Sequence, residues 1–182
     1  MASSFLLRTL LGVLLIALSA QVSLHLDWQA LQIPITGQTL GVLVVAYVLG
    51  APWGWLAVLV YLLAGGMGLP FFADGGSGWD SFSKGSAGFL YGFVLGAAIL
   101  TGWRKRAGGR HWGSALLGMS LGTAAIMALG LAYLAQRYGW EKALVYGFYP
   151  FWPGAIVKII LGATLIWGLH RTAIGAKILG ED

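Results

Sequence analysis

Six apolar segments run through this chain, and they constrain its fold more than any other feature of the sequence. Of its 182 residues, 58% are hydrophobic and only 9% are charged, whereas a soluble domain carries about 25% charged residues. About 20 apolar residues in a helix cross the hydrocarbon core of a bilayer. The sequence therefore predicts an integral membrane protein. The predicted spans are Phe5–Leu24, Thr36–Gly50, Trp53–Leu69, Gly85–Trp103, Trp112–Ala135 and Ala155–His170.

The apolar segments predict helices rather than strands, because they do not alternate with the period of two that marks a transmembrane β-barrel. The predicted fold class is an all-α integral membrane protein, with six transmembrane helices in a single domain that covers residues 1–182. Segments two and three are short, and a partly re-entrant path is the alternative for them. For the first segment the alternative is a secretory signal, with Ala17-Leu18-Ser19 as its cleavage site.

The basic residues predict an orientation for the bundle, since the cytoplasmic loops of membrane proteins are enriched in lysine and arginine. If the N-terminus is cytoplasmic, seven of the 11 basic residues lie on the cytoplasmic side, three lie outside, and Lys158 lies within a span. Both termini are therefore predicted to be cytoplasmic, and the net charge of +5 needs no nucleic-acid partner. The cytoplasmic residues are Arg8, Arg104, Lys105, Arg106, Arg110, Arg171 and Lys177, and the outer ones are Lys84, Arg137 and Lys142.

Catalytic and metal-binding patterns are scarce in the sequence. There is no cysteine, which excludes disulfides, thiolate metal sites and cysteine nucleophiles. The chain has neither a P-loop nor a G-x-S-x-G motif, and its three histidines lie far apart. No carboxylate falls in a predicted span, so a proton-coupled pump would lack its acidic relay. We therefore expect that the chain is not an enzyme and that it binds neither a metal nor a cofactor.

Two further patterns concern packing and the outer loops. Glycines at a spacing of four, in segments four and five, predict close approach of helices within the chain, with docking onto another membrane subunit as the alternative. The outer loop Pro70–Lys84 combines a glycine-rich run with the aromatic residues Phe71, Phe72 and Trp79 beside it, and it is predicted to be a mobile lid over a ligand. For the aromatic residues of Arg137–Pro153, a belt at the membrane interface is the favoured explanation.

Lys158 is the charge that most needs an explanation. Pro153 suits the first turn of a helix, which places Lys158 about one and a half turns into segment six. The start of a helix already carries about half a positive charge, so an ammonium there is unfavourable unless an anion is present. A helix start with a lysine forms a binding position for a carboxylate or a phosphate. Contact with an anionic ligand is the prediction, and a lysine that extends to the outer interface is the alternative.

Four motifs resemble those of the BioY proteins, the biotin-binding S-components of energy-coupling-factor (ECF) transporters. They follow the family's order, and they are similar to its patterns P-I-T-x-Q-T, G-x-x-G-x-P-V-F-A, T-G-G-Y-L-x-G-F and P-G-D-x-x-K. In this chain they read Ile33-Pro34-Ile35-Thr36-Gly37-Gln38-Thr39, Gly65-Gly66-Met67-Gly68-Leu69-Pro70-Phe71-Phe72-Ala73, Ser86-Ala87-Gly88-Phe89-Leu90-Tyr91-Gly92-Phe93, and Pro153-Gly154 followed by Lys158.

The resemblance implies high-affinity capture of biotin for uptake, with biotin as the transported ligand and without a cofactor. It also implies a place in the bacterial plasma (inner) membrane, in association with a membrane scaffold subunit and two ATPase subunits of an ECF module. The alternatives are an S-component for another small carboxylate vitamin and, from other classes, a small integral-membrane enzyme or a structural subunit.

The predicted substrate-binding residues also follow from the resemblance. Ala155 stands where the family commonly has an aspartate that is implicated in holding biotin, so other residues must supply the hydrogen bonds to the ureido ring. Asp74, Asp80, Gln38 and Tyr149 are the candidates for that role. The full predicted set is Thr36, Gln38, Phe71, Asp74, Ser86, Phe89, Tyr149 and Lys158.

Overall fold

The computed structural model describes residues 2–24, 33–107 and 111–179, and helices account for most of them. Arg110, one of the basic residues predicted to be cytoplasmic, lies outside the described residues. The helices are α1 (Ala2–Ala20), α2 (Gln38–Leu49), α3 (Trp53–Gly66), α4 (Ala87–Ala107), α5 (Trp112–Tyr138), α6 (Trp140–Ala143), α7 (Phe151–His170) and α8 (Ala173–Leu179).

Short elements complete the described fold. The strands β1 (Ser23–Leu24) and β2 (Ile35–Thr36) form an antiparallel pair between α1 and α2. Two 3-10 helices, Ala73–Gly75 and Trp79–Phe82, lie between α3 and α4, and a π-helix, Leu144–Phe148, follows α6.

Each predicted apolar segment contains a helix, and three of these helices (α4, α5 and α7) are long and apolar enough to cross a membrane. The apolar part of α1, Leu6–Ala20, and helices α2 and α3 are shorter, so the count of six spans stays a prediction. The predicted start of the sixth segment is wrong by four residues, because α7 begins at Phe151 rather than at Ala155. Lys158 therefore lies about two turns into the helix instead of one and a half.

Helices α4 and α5 approach each other closely along a line of glycines. A Cβ atom added at Gly92 would lie 2.8 Å from the Cα of Ile126, and one added at Gly96 would lie 2.9 Å from the carbonyl oxygen of Gly122. These distances are too short for any side chain, so the glycines allow backbone-to-backbone packing. The prediction that they serve packing within the chain is confirmed.

The long helices, taken in chain order, run in alternating directions through the bundle. Gly88 near the start of α4 faces Leu129 and Gly130 of α5, and Gly162 of α7 faces Met119 of α5. At the other side of the bundle, Gly54 near the start of α3 packs against Ala46 near the end of α2. The starts of α2, α4 and α7 consequently lie at one end of the bundle, which we call the cavity end.

The opposite end of the bundle contains a partly buried polar cluster. The guanidinium of Arg104 donates hydrogen bonds to the carbonyl oxygens of Tyr47, Val48 (2.8 Å) and Leu179 (2.7 Å). The Tyr47 hydroxyl lies 2.7 Å from the Nε2 atom of His170. Arg104 therefore satisfies carbonyl groups at the ends of α2 and α8, where helices leave their last carbonyls without partners.

Candidate functional site

A cavity of about 530 Å³ opens at the cavity end of the bundle. Its wall is built from the start of α2, residues 72–86 between α3 and α4, the first half of α4, the middle and end of α5, and the first two turns of α7. Most of the wall is apolar or aromatic, and a few polar side chains face the same space. Cavities of this size and character are typical of sites for small organic ligands.

The structure brings together six of the eight predicted binding residues in the wall of this cavity. Phe71 and Tyr149 are not part of the wall. The ring of Phe71 stacks on Tyr61, with 6.3 Å between the ring centres, and the Tyr149 side chain is 55% exposed and packs beside Phe148. Asp80 is likewise absent from the wall. The six are Thr36, Gln38, Asp74, Ser86, Phe89 and Lys158.

Gln38 is held in place by a buried chain of hydrogen bonds. Its Nε2 atom donates to the hydroxyl of Tyr61, and this hydroxyl donates at 3.0 Å to the backbone carbonyl of Phe71. The backbone N–H of Gln38 donates to the hydroxyl of Thr36 at 3.3 Å, which satisfies one of the free N–H groups at the start of α2. Both Gln38 and Tyr61 are buried. Phe71 therefore supports the site through its backbone rather than through its ring.

Asp74 reaches the cavity from a tight turn that is fastened to the end of α1. Its φ of 57° lies in the left-handed region, which aspartate adopts more readily than most residues. The hydroxyl of Ser23 donates to the Asp74 carboxylate. The side-chain amide of Gln21 accepts from the N–H of Gly75 at 2.9 Å and donates to the carbonyl of Phe72 at 3.1 Å.

Aromatic contacts pack residues 70–84 against α3. The buried ring of Phe72 fits against Gly65 and meets Tyr61 and Phe82 edge-on, at 5.7 and 5.8 Å between ring centres. Trp79 lies against Gly66, and the N–H of Gly78 donates to the carbonyl of Gly65 at 2.8 Å. In this arrangement the segment forms one wall of the cavity. Its predicted motion as a lid stays a prediction.

A pair of stacked rings forms the opposite, apolar wall. Phe89 of α4 and Phe151 of α7 lie nearly parallel, with 5.5 Å between ring centres. Phe89 packs against Gly130 of α5, where any side chain would displace the ring. Offset stacking of this kind fixes both rings. The wall therefore presents a rigid apolar surface to whatever enters the cavity.

Lys158 brings a positive charge into this largely apolar space. Its side chain is half-buried in the wall, and no residue in the described ranges forms a hydrogen bond or an ion pair with its ammonium group. Ala155, one turn earlier on α7, also lines the cavity and offers no carboxylate. A charge that is withdrawn from water without a partner is costly. The cavity is consequently well suited to a ligand that carries a negative or strongly hydrogen-bonding group.

Comparison with known families identifies the chain. The sequence profile described as the BioY family matches residues 2–174. The chain belongs to the BioY family. The family predicted from the four motifs is therefore confirmed.

Individual BioY relatives match over most of their length. The "Biotin transporter BioY" of Rhizobium etli is 34% identical over 87% of this chain and 88% of its own. The protein of the same name from Thermotoga maritima is 32% identical over 88% of this chain and 92% of its own. The fold is similar to that of the S-component for biotin from an ECF-type ABC transporter, with a TM-score of 0.84 and 19% identity over 94% of this chain and 93% of that one.

Several residues in the cavity of this BioY chain were missed by sequence reasoning. Thr123 and Met127 of α5 and Phe151 of α7 line the cavity alongside the motif residues. In α5 almost every residue is small or apolar, so no periodic pattern distinguishes the face toward the cavity from the face toward lipid. Phe151 lies within the aromatic run that the sequence assigned to an interfacial belt, and only its stacking on Phe89 sets it apart.

Proposed function

We propose that this chain captures biotin at the outer face of the bacterial plasma membrane and presents it for uptake, as the S-component of an ECF transporter. Its BioY relatives are named as biotin transporters. The structural relative is named as a biotin S-component. Transport rather than catalysis agrees with the expectation that the chain is not an enzyme.

The observation that carries this proposal is the half-buried Lys158, without a protein partner in the described ranges, in a cavity with stacked aromatic walls. Biotin carries a carboxylate, an apolar chain with a thioether ring, and a ureido group. In the proposed complex, Lys158 pairs with the carboxylate and the stacked rings of Phe89 and Phe151 cover the apolar part. The ureido group then meets other polar side chains of the wall, among them Thr36, Gln38, Asp74 and Ser86.

The proposal includes a six-span topology in a single domain with both termini in the cytoplasm. The alternating helix directions support it, as does the position of basic side chains at the end of the bundle opposite the cavity. A membrane scaffold subunit and two ATPase subunits complete the proposed transporter, because the sequence contains no P-loop with which to hydrolyse ATP. The basic side chains at that end include Arg8, Arg104, Lys105, Arg106 and Arg171.

Substitution of Lys158 by methionine tests the assignment of the site. Lys158→Met keeps much of the side-chain volume but removes the charge, and breaking a desolvated ion pair costs about 3–5 kcal/mol. We expect biotin affinity, measured by isothermal titration in detergent, to fall by at least about a hundredfold. Lys142→Met is the matched control, because Lys142 is exposed near the same end of the bundle and lies outside the cavity wall.

A second ligand tests whether Lys158 contacts the carboxylate of biotin or its ureido oxygen. The uncharged biotinamide should bind the wild type more weakly than biotin does, and it should lose much less affinity in Lys158→Met. Equal losses for the two ligands would instead place Lys158 on the ureido oxygen. An unchanged biotin affinity in Lys158→Met would show that Lys158 is not part of the site. Binding of another carboxylate vitamin, without binding of biotin, would show that biotin is not the substrate.

A further inference from the structure

Thr123 is a buried hydroxyl that the wall of the cavity leaves without a protein partner. It lies in the middle of α5, it is only 5% exposed, and it lines the cavity. No residue in the described ranges forms a hydrogen bond with its side chain. Buried polar side chains nearly always have a partner. The missing partner of Thr123 must then come from the cavity.

Other serine and threonine hydroxyls in the bundle donate to a backbone carbonyl of their own helix, and Thr123 does not. Thr101 of α4 donates to the carbonyl of Ala98 at 3.0 Å, and Ser120 of α5 donates to the carbonyl of Leu116 at 2.8 Å. This bond to the preceding turn is the usual arrangement for a serine or threonine inside a helix. Thr123 makes no such bond in the structure, although the carbonyl of Met119 is one turn away. Its hydroxyl is therefore available to a ligand.

The packing of α5 against α7 brings Thr123 to the level of Lys158. The two helices are antiparallel, and Gly162 of α7 lies against the side chain of Met119 of α5. Moving four residues from Gly162 to Lys158 covers about 6 Å along α7, and moving four residues from Met119 to Thr123 covers about the same distance along α5 in the same direction. Both side chains also line the same cavity.

We propose that Thr123 donates a hydrogen bond to the same ligand group that Lys158 holds. This inference rests on the proposed function, in which that group is the carboxylate of biotin. A carboxylate has two oxygens and about four acceptor positions, so that one ammonium does not satisfy it. A hydroxyl at the same level supplies a second donor, while the neighbouring wall residues Phe93, Ile126 and Met127 supply none. Thr123 is thus a specificity-determining residue for an acceptor group at the inner part of the cavity.

The test compares one substitution that removes the hydroxyl with one that keeps it. Thr123→Val keeps the shape of the side chain and removes the donor, whereas Thr123→Ser keeps the donor and removes a methyl group. A hydrogen bond to a charged group corresponds to about a ten- to a hundredfold change in affinity. We expect Thr123→Val to weaken biotin binding by about that factor in isothermal titration, and Thr123→Ser to retain affinity within about threefold. Thr101→Val, at a buried threonine outside the cavity, is the matched control.

Combination with Lys158→Met shows whether the two residues share one ligand group. In that case the double variant Lys158→Met/Thr123→Val loses clearly less affinity than the product of the single losses. Equal weakening by Thr123→Ser and Thr123→Val, or no weakening by Thr123→Val, would overturn this proposal. The proposed function would still stand in that case, provided that the wild type binds biotin. A wild type that does not bind biotin would overturn both.

Discussion

The two ends of the bundle each withdraw a cation from water, and they treat it in opposite ways. At the end opposite the cavity, Arg104 donates to three backbone carbonyls from two other helices. At the cavity end, Lys158 has no hydrogen-bond or ion-pair partner among the residues that the structure describes. Arg104 satisfies carbonyl groups at helix ends and stabilises the fold. Lys158 instead keeps a positive charge with which an anionic ligand can pair. The difference indicates where the protein is built for stability and where it is built for binding.

The largest effects are expected when the charge of Lys158 or of Arg104 is removed, and these two substitutions test the contrast directly. Lys158→Met should lower biotin affinity by at least about a hundredfold, and it should leave the stability of the ligand-free protein unchanged or slightly higher. Arg104→Met should lower the free energy of unfolding by about 2 kcal/mol, since a hydrogen bond to a charged group contributes about 1.5–3 kcal/mol. Biotin affinity in Arg104→Met should stay within about threefold of the wild type.

Isothermal titration and denaturation in mixed detergent micelles measure the two effects separately. Lys105→Met is the matched control for Arg104→Met, because Lys105 is the exposed neighbour on the same helix. If Lys158→Met destabilised the ligand-free protein as much as Arg104→Met does, Lys158 would have a structural role and the contrast between the ends would be lost.

A smaller effect is expected at Tyr61, because it holds the cavity residue Gln38 in place. Tyr61→Phe removes the hydroxyl that accepts from Gln38 and donates to the carbonyl of Phe71. Two buried polar groups then lack a partner, at a cost of about 1–3 kcal/mol each. Stability should fall, and biotin affinity should fall by up to about tenfold because Gln38 is less firmly held. Tyr91→Phe, at an exposed tyrosine bonded to the carbonyl of Phe82, controls for loss of a hydroxyl outside the cavity wall. Unchanged stability and affinity would show that the chain of bonds does not hold Gln38.

The smallest effect concerns residues 70–84. Their glycines permit backbone motion, while Phe72, Trp79 and the bonds from Gln21 fasten them to α1 and α3. We expect biotin to slow amide hydrogen exchange in this segment severalfold, because the ligand of the proposed complex contacts Asp74 and the neighbouring wall. Exchange at the end of α4 near Arg104 should not change. Equal exchange in this segment with and without biotin would contradict the predicted lid.

The sequence by itself determined the class of the protein, because hydrophobicity and motif order are properties of the chain and need no coordinates. A charge content of 9% requires a membrane environment, and the spacing of Gly88, Gly92 and Gly96 predicts a face on which another helix can lie closely. The motifs around Gln38, Phe89 and Lys158 predicted the family and several of the polar side chains of the cavity.

Only the tertiary structure decided which neighbours these residues have. Phe71 and Phe72 are adjacent in the chain, yet one stacks outside the cavity wall on Tyr61 and the other lines the cavity, since the turn after α3 directs their rings to different sides. Thr123 lies in a helix of almost entirely small or apolar residues, and it comes to the same level as Lys158 because α5 packs antiparallel to α7. Contacts between distant segments depend on helix direction, register and close packing, and no local pattern of residues encodes these.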